Sequence, residues 1–196
     1  MKKILTIVLL LFVFISTEAQ YKEPAKPKEV SYANFYLNFS TGIDNYTGLF
    51  GIGALFPYND KFAVIAGAGI GGWGGKLSAG MKYEDLSEDG WGFGLSYSFC
   101  SELDDFDMTL QDQNGTTKTV NLDLLAVGSV NLTVNRNWKL RGDKVFYLET
   151  GYAIPVGGSD FYQINDGSVL SQDEELILEI MRPGGLILAL GLLIGF

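Results

Sequence analysis

The residues with chemical potential are few. Lys76, Lys82, Asp123 and Glu149, with the phenol of Tyr147, lie in alternating runs where every second position is small or polar, so they share one face with Ser78, Asn121 and Asn131. Burying one such charge alone costs several kcal/mol, so opposite signs on an enclosed face are expected to pair, Lys82 with Glu149 for example. The same set of groups can form a gated path for ions or protons, or a self-satisfied interior network. Pairing favours the network.

Other chemistry is thin. The 196-residue chain has no histidine and one cysteine, Cys100. The commonest general base and metal ligand is therefore missing, and one thiol makes neither an intramolecular disulfide nor a cysteine-rich zinc site. No cluster of Ser, Lys and acid stands out as nucleophile and base. No catalytic residue, cofactor or metal ligand is assigned, and the chain is not expected to be an enzyme. Asp112-Gln113-Asn114-Gly115 matches only part of a calcium loop and lacks the remaining ligands and terminal Glu, so Asn114-Gly115 predicts a hairpin turn instead. The glycines between Gly67 and Gly75 precede no basic helix; they suit a tight wall rather than a phosphate cradle. A net charge of -9 offers no basic surface to nucleic acid.

The elements that position these residues begin after an export signal. Lys2 and Lys3 precede an apolar run, Ile4 to Ile15, broken only by Thr6, and Thr17-Glu18-Ala19 is a small-residue cleavage site. Twelve residues at about 1.5 Å each fall short of a hydrocarbon core about 30 Å thick, so residues 1–19 read as cleaved rather than anchoring. No cysteine follows the cleavage site to carry a lipid. Residues 20–31, with Pro24, Pro27 and three lysines, read as a flexible tether.

From residue 32 onward the period is two. In 91–100, Trp91, Phe93, Leu95, Tyr97 and Phe99 share one face and Gly92, Gly94, Ser96, Ser98 and Cys100 the other. Similar alternation runs through 61–71 and 185–196, and weaker runs at 32–40, 48–56, 76–83, 119–134 and 144–154 bring the number of expected strands to eight. Two closed barrels fit eight strands: a soluble one with its bulk inside, and a membrane one with its bulk outside and small or polar groups within. The connections favour the second. One end receives the short segments 57–60, 84–90 and 135–143; the other receives 41–47, 72–75, 101–118 and 155–184, including the two longest. Rings also gather at two levels, Phe56, Phe62, Tyr83, Trp91, Phe146 and Phe196 at one end, Phe39, Phe50, Phe99 and Tyr152 at the other.

Over residues 32–196 the chain resembles the small eight-stranded outer-membrane β-barrel proteins of Gram-negative bacteria. The last strand carries the likeness: a terminal aromatic, Phe196, preceded by Ile194, Leu192, Leu190 and Leu188. The resemblance implies an all-β fold, a closed antiparallel eight-stranded transmembrane β-barrel with long extracellular loops. It also implies capture of Phe196 by the barrel-assembly machinery, a place in the outer membrane among lipid and lipopolysaccharide, and a monomer. The familiar enzymes of such barrels are similar in using a histidine, which is missing here.

The loops carry the charge. Asp44, then Glu102, Asp104, Asp105, Asp107 and Asp112, then Asp160, Asp166, Asp173, Glu174, Glu175 and Glu179 face only Lys118 and Arg182. That surface can be plainly solvated or can share divalent cations with lipopolysaccharide phosphates. Within the last loop, Asp166-Gly167 predicts a hairpin between Phe161-Tyr162 and Val169-Leu170. Ser171-Gln172-Asp173-Glu174 predicts a capped helix bearing Leu176, Ile177, Ile180 and Met181. Phe161, Tyr162, Leu176, Ile177 and Ile180 form an apolar cluster that either caps the barrel mouth or contacts a partner. The function expected is a structural or partner-binding barrel with a plugged lumen. Passage or binding of small hydrophobic molecules through the barrel or a lateral opening is the alternative, and a lipid-modifying enzyme comes third.

Overall fold

The computed structural model describes residues 32–111, 117–157, 160–167 and 169–196. The expected signal at 1–19, the tether at 20–31 and the Asn114-Gly115 turn lie outside the described residues. Eight strands close a barrel: β1 (Tyr36–Ile43), β2 (Phe50–Pro57), β3 (Phe62–Gly71), β4 (Gly74–Tyr83), β5 (Gly90–Cys100), β8 (Val127–Lys139), β9 (Lys144–Val156) and β11 (Gly185–Gly195). Each is antiparallel to its neighbours in the order β1-β2-β3-β4-β5-β8-β9-β11, and β11 returns to β1 with Tyr36 opposite Gly195. Closure satisfies every strand edge, so no unpaired ladder is left in the barrel wall.

A smaller unit stands apart from that ladder. Strands β6 (Leu103–Gln111), β7 (Thr117–Leu124) and β10 (Tyr162–Ile164) form a three-stranded sheet in the order β10-β7-β6, and the helix α1 (Gln172–Met181) follows. It lies at the end of the barrel that receives residues 44–49, 72–73, 101–126 and 157–184, here called the loop end. The turn end receives 58–61, 84–89 and 140–143 together with the start of β1 and the end of β11.

Two sequence expectations need correction. Residues 119–134 are not one strand; the chain breaks at Leu125-Ala126, leaving β7 in the small sheet and β8 in the barrel. The break is held from outside the ladder, since Leu125 N donates to Phe161 O and Leu125 O accepts from the Trp73 indole at 2.9 Å. Asp166-Gly167 makes no hairpin with 169–170 either. Tyr162–Ile164 pairs with Leu122–Leu124 of β7, and Gly167, at φ 70°, turns the chain toward α1.

The barrel strands alternate as the sequence period requires. Phe93, Leu95, Tyr97, Leu132, Leu148, Leu188 and Leu190 stand exposed on the outer surface, while their neighbours Ser96, Ser98, Asn131, Thr133, Glu149 and Ala189 are buried inside. The small unit has the opposite sense. Its interior is apolar, built from Val120, Leu122, Leu124, Leu170 and Leu178, and it continues onto Trp73 and Cys100 of the barrel rim.

Candidate functional site

The barrel interior is filled by polar side chains, by an apolar cluster toward the turn end that includes Leu55, Ile65, Val145 and Leu193, and by a piece of chain that enters from the loop end. Residues 44–49 turn inward, burying Asn45, Tyr46 and Thr47. Room for them comes from glycine. A Cβ at Gly51 or Gly69 would strike the Thr47 carbonyl, and one at Gly67 would stand 2.9 Å from the Tyr46 ring. The Tyr46 hydroxyl accepts from Asn38 Nδ2, Asn45 Nδ2 donates to Ser40 Oγ at 3.0 Å, and the Ser40 and Thr47 hydroxyls lie 2.6 Å apart.

Beneath this tucked loop sits the central charge pair. Lys82 Nζ donates to Glu149 Oε2 at 2.5 Å, both side chains being almost fully buried. The ammonium also lies 4.8 Å from the Tyr147 ring centroid and 5.5 Å from that of Tyr46, within cation–π range. The Tyr147 hydroxyl donates to Asn38 Oδ1 at 3.1 Å. Toward the turn end, Glu84 Oε2 accepts from Asn135 Nδ2 at 2.7 Å and Asn137 Nδ2 at 2.8 Å. A further ladder joins Ser78, Ser98 and Asn131, whose Nδ2 donates to Ser98 Oγ at 2.6 Å. At the loop end Lys76 Nζ donates to Asp44 Oδ1 at 2.9 Å and to Asp44 O at 3.1 Å, while Asp44 Oδ2 accepts from Gly184 N. Asp44 holds this place with a left-handed backbone, φ 52°.

Of the interior residues expected from sequence, Lys82, Tyr147 and Glu149 come together and Lys76 stands apart on its own carboxylate. Asp123 is a correction. It lies on β7 in the small unit, where it accepts from Asp105 N at 2.9 Å and Asn165 Nδ2 at 2.7 Å, because the Leu125-Ala126 break carries β7 out of the barrel. Asn34 is exposed in a bend before β1. Sequence reasoning missed Tyr46 and Glu84, assigned to loops, and Asn135 and Asn137, placed beyond the end of a strand that in fact continues to Lys139. The alternation Asn131, Thr133, Asn135, Asn137 was the available signal for the last two.

The small unit revises the apolar cluster. Phe161 and Tyr162 are half-buried against the inner core, with Phe161 6.2 Å from the Trp73 ring and the Arg182 guanidinium 4.9 Å from Phe161. They are not a free outer contact, since β10 is stitched to β7. Burial, with the Glu175 charge nearby, pushes the Tyr162 phenol above its ordinary value. On α1 the side chains turned inward are Glu174 and Leu178, four residues apart, while Leu176 and Ile177 point outward, 53% and 45% exposed. Ile180 contributes its backbone to α1; its side chain lies outside the described set. Ser171 caps the helix, its N donating to Glu174 Oε2 at 2.6 Å and its Oγ accepting from Glu174 N at 3.3 Å.

Between the barrel rim and the small unit lies a cavity of about 240 Å³ lined by Asp44, Trp73, Lys76, Cys100 and Arg182 among others. Among the described residues no three His, Cys, Asp or Glu side chains stand together as a metal site. No described helix is long and apolar enough to cross a membrane, which leaves strands untouched by that criterion. Phe196 closes the turn end from outside: its ring stacks on Phe35 at 5.6 Å, and Phe35 stacks on Phe56 at 5.6 Å. The closed barrel, with buried charge pairs in its interior and an apolar outer surface, is thus the main feature of the molecule; no protein-family model matches the chain, and a search of the curated proteins finds no match.

Proposed function

We propose that the protein is an integral outer-membrane barrel whose lumen is closed by its own side chains and whose acidic loop-end unit is the part presented to partners. A closed eight-stranded barrel fits an outer-membrane barrel protein in general. The observation that carries the reading is the sense of the two faces. On the outward face of the barrel strands, among the described residues, the charged side chains are Arg136 and Lys144, both at the turn end; apart from Thr41 and Thr150 the rest is glycine, apolar or aromatic, with Phe50 71% and Ile70 68% exposed. A soluble monomer rarely exposes a contiguous apolar patch beyond a few hundred Å², whereas lipid requires one.

The dimensions agree. From Leu186 to Phe196 the outward residues of the last strand span ten steps, about 34 Å along the strand at about 3.4 Å each. A tilt of about 40° reduces this to about 26 Å, against an apolar band about 25 Å tall in outer-membrane barrels. In this reading the turn end faces the periplasm and the loop end the exterior. Lipid and lipopolysaccharide surround a single chain that the barrel-assembly machinery inserts through the strand ending at Phe196. The role is structural or partner-binding rather than catalytic. The pairs Lys82–Glu149 and Lys76–Asp44, with Tyr46 between the walls, support a plugged lumen.

Two measurements test this. The folded protein should migrate differently on a denaturing gel before and after boiling, since a closed ladder with no free edge resists detergent. Identical migration together with solubility in detergent-free buffer would overturn the membrane reading. Planar bilayers should show little or no conductance; large, stable, reproducible channels would overturn the plug and make the interior charges a selectivity device.

A further inference from the structure

The outward surface is not uniform. Between β4, β5 and β8 it holds a groove of about 540 Å³ walled by Met81, Tyr83, Phe93, Leu95, Leu132 and Val134. That volume is in the range of small-molecule sites, about 300–1,000 Å³. Phe62 and the inward-facing positions Lys82, Gly94 and Thr133 complete its lining. The register shows what stands at its turn-end mouth. Phe93 is opposite Val134, Leu95 is opposite Leu132, and the next outward pair is Trp91 opposite Arg136.

Arg136 is the feature that gives the groove a polarity. The guanidinium lies 5.5 Å from the Trp91 ring centroid, held across the strand pair by a cation–π contact. A charged group on the outward face of a membrane barrel is expensive at mid-depth and nearly free at the interface, so its place at the turn end suits the headgroup level. A planar guanidinium is matched to phosphate by two parallel donors, which an ammonium lacks. An indole beside it is the side chain that interfaces favour.

We propose that this groove is a phospholipid site in the leaflet at the turn end, with an acyl chain lying along Phe93, Leu95, Leu132 and Val134 and the lipid phosphate held by Arg136. The proposal rests on the membrane reading above and adds a preference to it. Anionic phospholipid is bound at Trp91 in preference to zwitterionic phospholipid, because the Arg136 charge is unmatched by any acid on the outward face of the described barrel strands.

The test uses Trp91 as its own reporter. The full mature chain carrying Trp138→Phe is refolded into phosphatidylcholine vesicles containing either brominated phosphatidylglycerol or brominated phosphatidylcholine, and quenching of indole fluorescence is titrated. Trp73 is buried in the loop-end core and supplies a constant background. Brominated phosphatidylglycerol is expected to quench at about fivefold lower mole fraction than brominated phosphatidylcholine, the preference one interfacial cation gives. Arg136→Gln should bring the ratio to about one, and Lys144→Gln, away from the groove on β9, should leave it. Equal quenching by the two lipids, or a preference that survives Arg136→Gln, overturns the site while leaving the membrane reading intact. Failure of the protein to float with the vesicles overturns the membrane reading first.

Discussion

The barrel and the loop-end unit are built from the same alternation and turn it in opposite senses. In β8, Val130, Leu132 and Val134 face outward and Asn131, Thr133 and Asn135 are enclosed; in β7, Val120, Leu122 and Leu124 are enclosed and Thr119, Asn121 and Asp123 face away. Among these residues the even positions are apolar in both strands. A strand pattern therefore fixes which residues share a face and says nothing of which face is inside. Closure and connection decide that. A sheet closed on itself around Lys82 and Glu149 turns its apolar side outward, whereas the open three-stranded sheet covers its apolar side with a helix.

The contrast is sharpest where each interior is damaged. Glu149→Leu leaves the Lys82 ammonium buried without its carboxylate, and breaking such a pair costs about 3–5 kcal/mol. The midpoint of urea unfolding in detergent should fall accordingly. Lys82→Met with Glu149→Leu should recover most of the loss, because the buried charge is gone with its partner. A single variant as stable as the parent would show that the pair does not hold the barrel interior.

In the small unit the equivalent lesion is a cavity. Leu178 is fully buried between α1 and the sheet, so Leu178→Ala is expected to cost about 2–5 kcal/mol. The loss should be local. Proteolysis of 101–126 and 157–184 should accelerate while the heat-dependent gel shift of the barrel is kept. Loss of both together would mean that Trp73 and Cys100, shared between rim and core, couple the two into one cooperative unit.

Legibility in the sequence followed the same division. Strand positions in the barrel were readable because eight runs keep one period over most of their length, and Lys82 with Glu149 was readable as opposite signs on the small face. The Leu125-Ala126 break was hidden, because Val120, Leu122 and Leu124 keep the parity of Val130 and Leu132, and the switch lies in Trp73 and Phe161, distant in sequence. Tyr46 was unreadable as a lumen residue for a different reason. Its loop has no period, and only the glycines facing it, Gly53 and Gly67, mark the space it occupies. The Ser171 cap was fully legible, since a capping box needs only its own four residues.

Removal of Phe196 separates folding from delivery. The ring is 64% exposed and stacks on Phe35, so in detergent its deletion should cost less than full burial of such a side chain, under about 3 kcal/mol, and refolding should succeed. Insertion in cells should fall far more, if the assembly machinery reads the terminal ring. Normal outer-membrane levels of the deletion would contradict that role, and failure to refold in detergent would make the ring chiefly structural.

The smallest expected effect lies at the N-terminus of α1. Ser171→Ala removes one of the two reciprocal bonds of the capping box, leaving Glu174 N without the hydroxyl it donates to, while Glu174 Oε2 still accepts from the residue 171 N–H. Loss of such a cap costs about 1 kcal/mol, within about 0.5–2. Both Ser171 and Glu174 are buried, which puts the cost in the upper part of that span, because a buried donor gains no water in exchange. Asp173, Glu174 and Glu175 still favour the positive end of the helix and limit the loss. Amide exchange in 172–181 should quicken by about tenfold, the factor that about 1.4 kcal/mol gives, with exchange in β5 and β8 unchanged. Ser171→Asp should restore most of the protection, since a carboxylate caps as well as a hydroxyl. Equal quickening in β5 would erase the distinction between the two regions, and no quickening at all would mean that Leu178 and the sheet hold α1 without its cap.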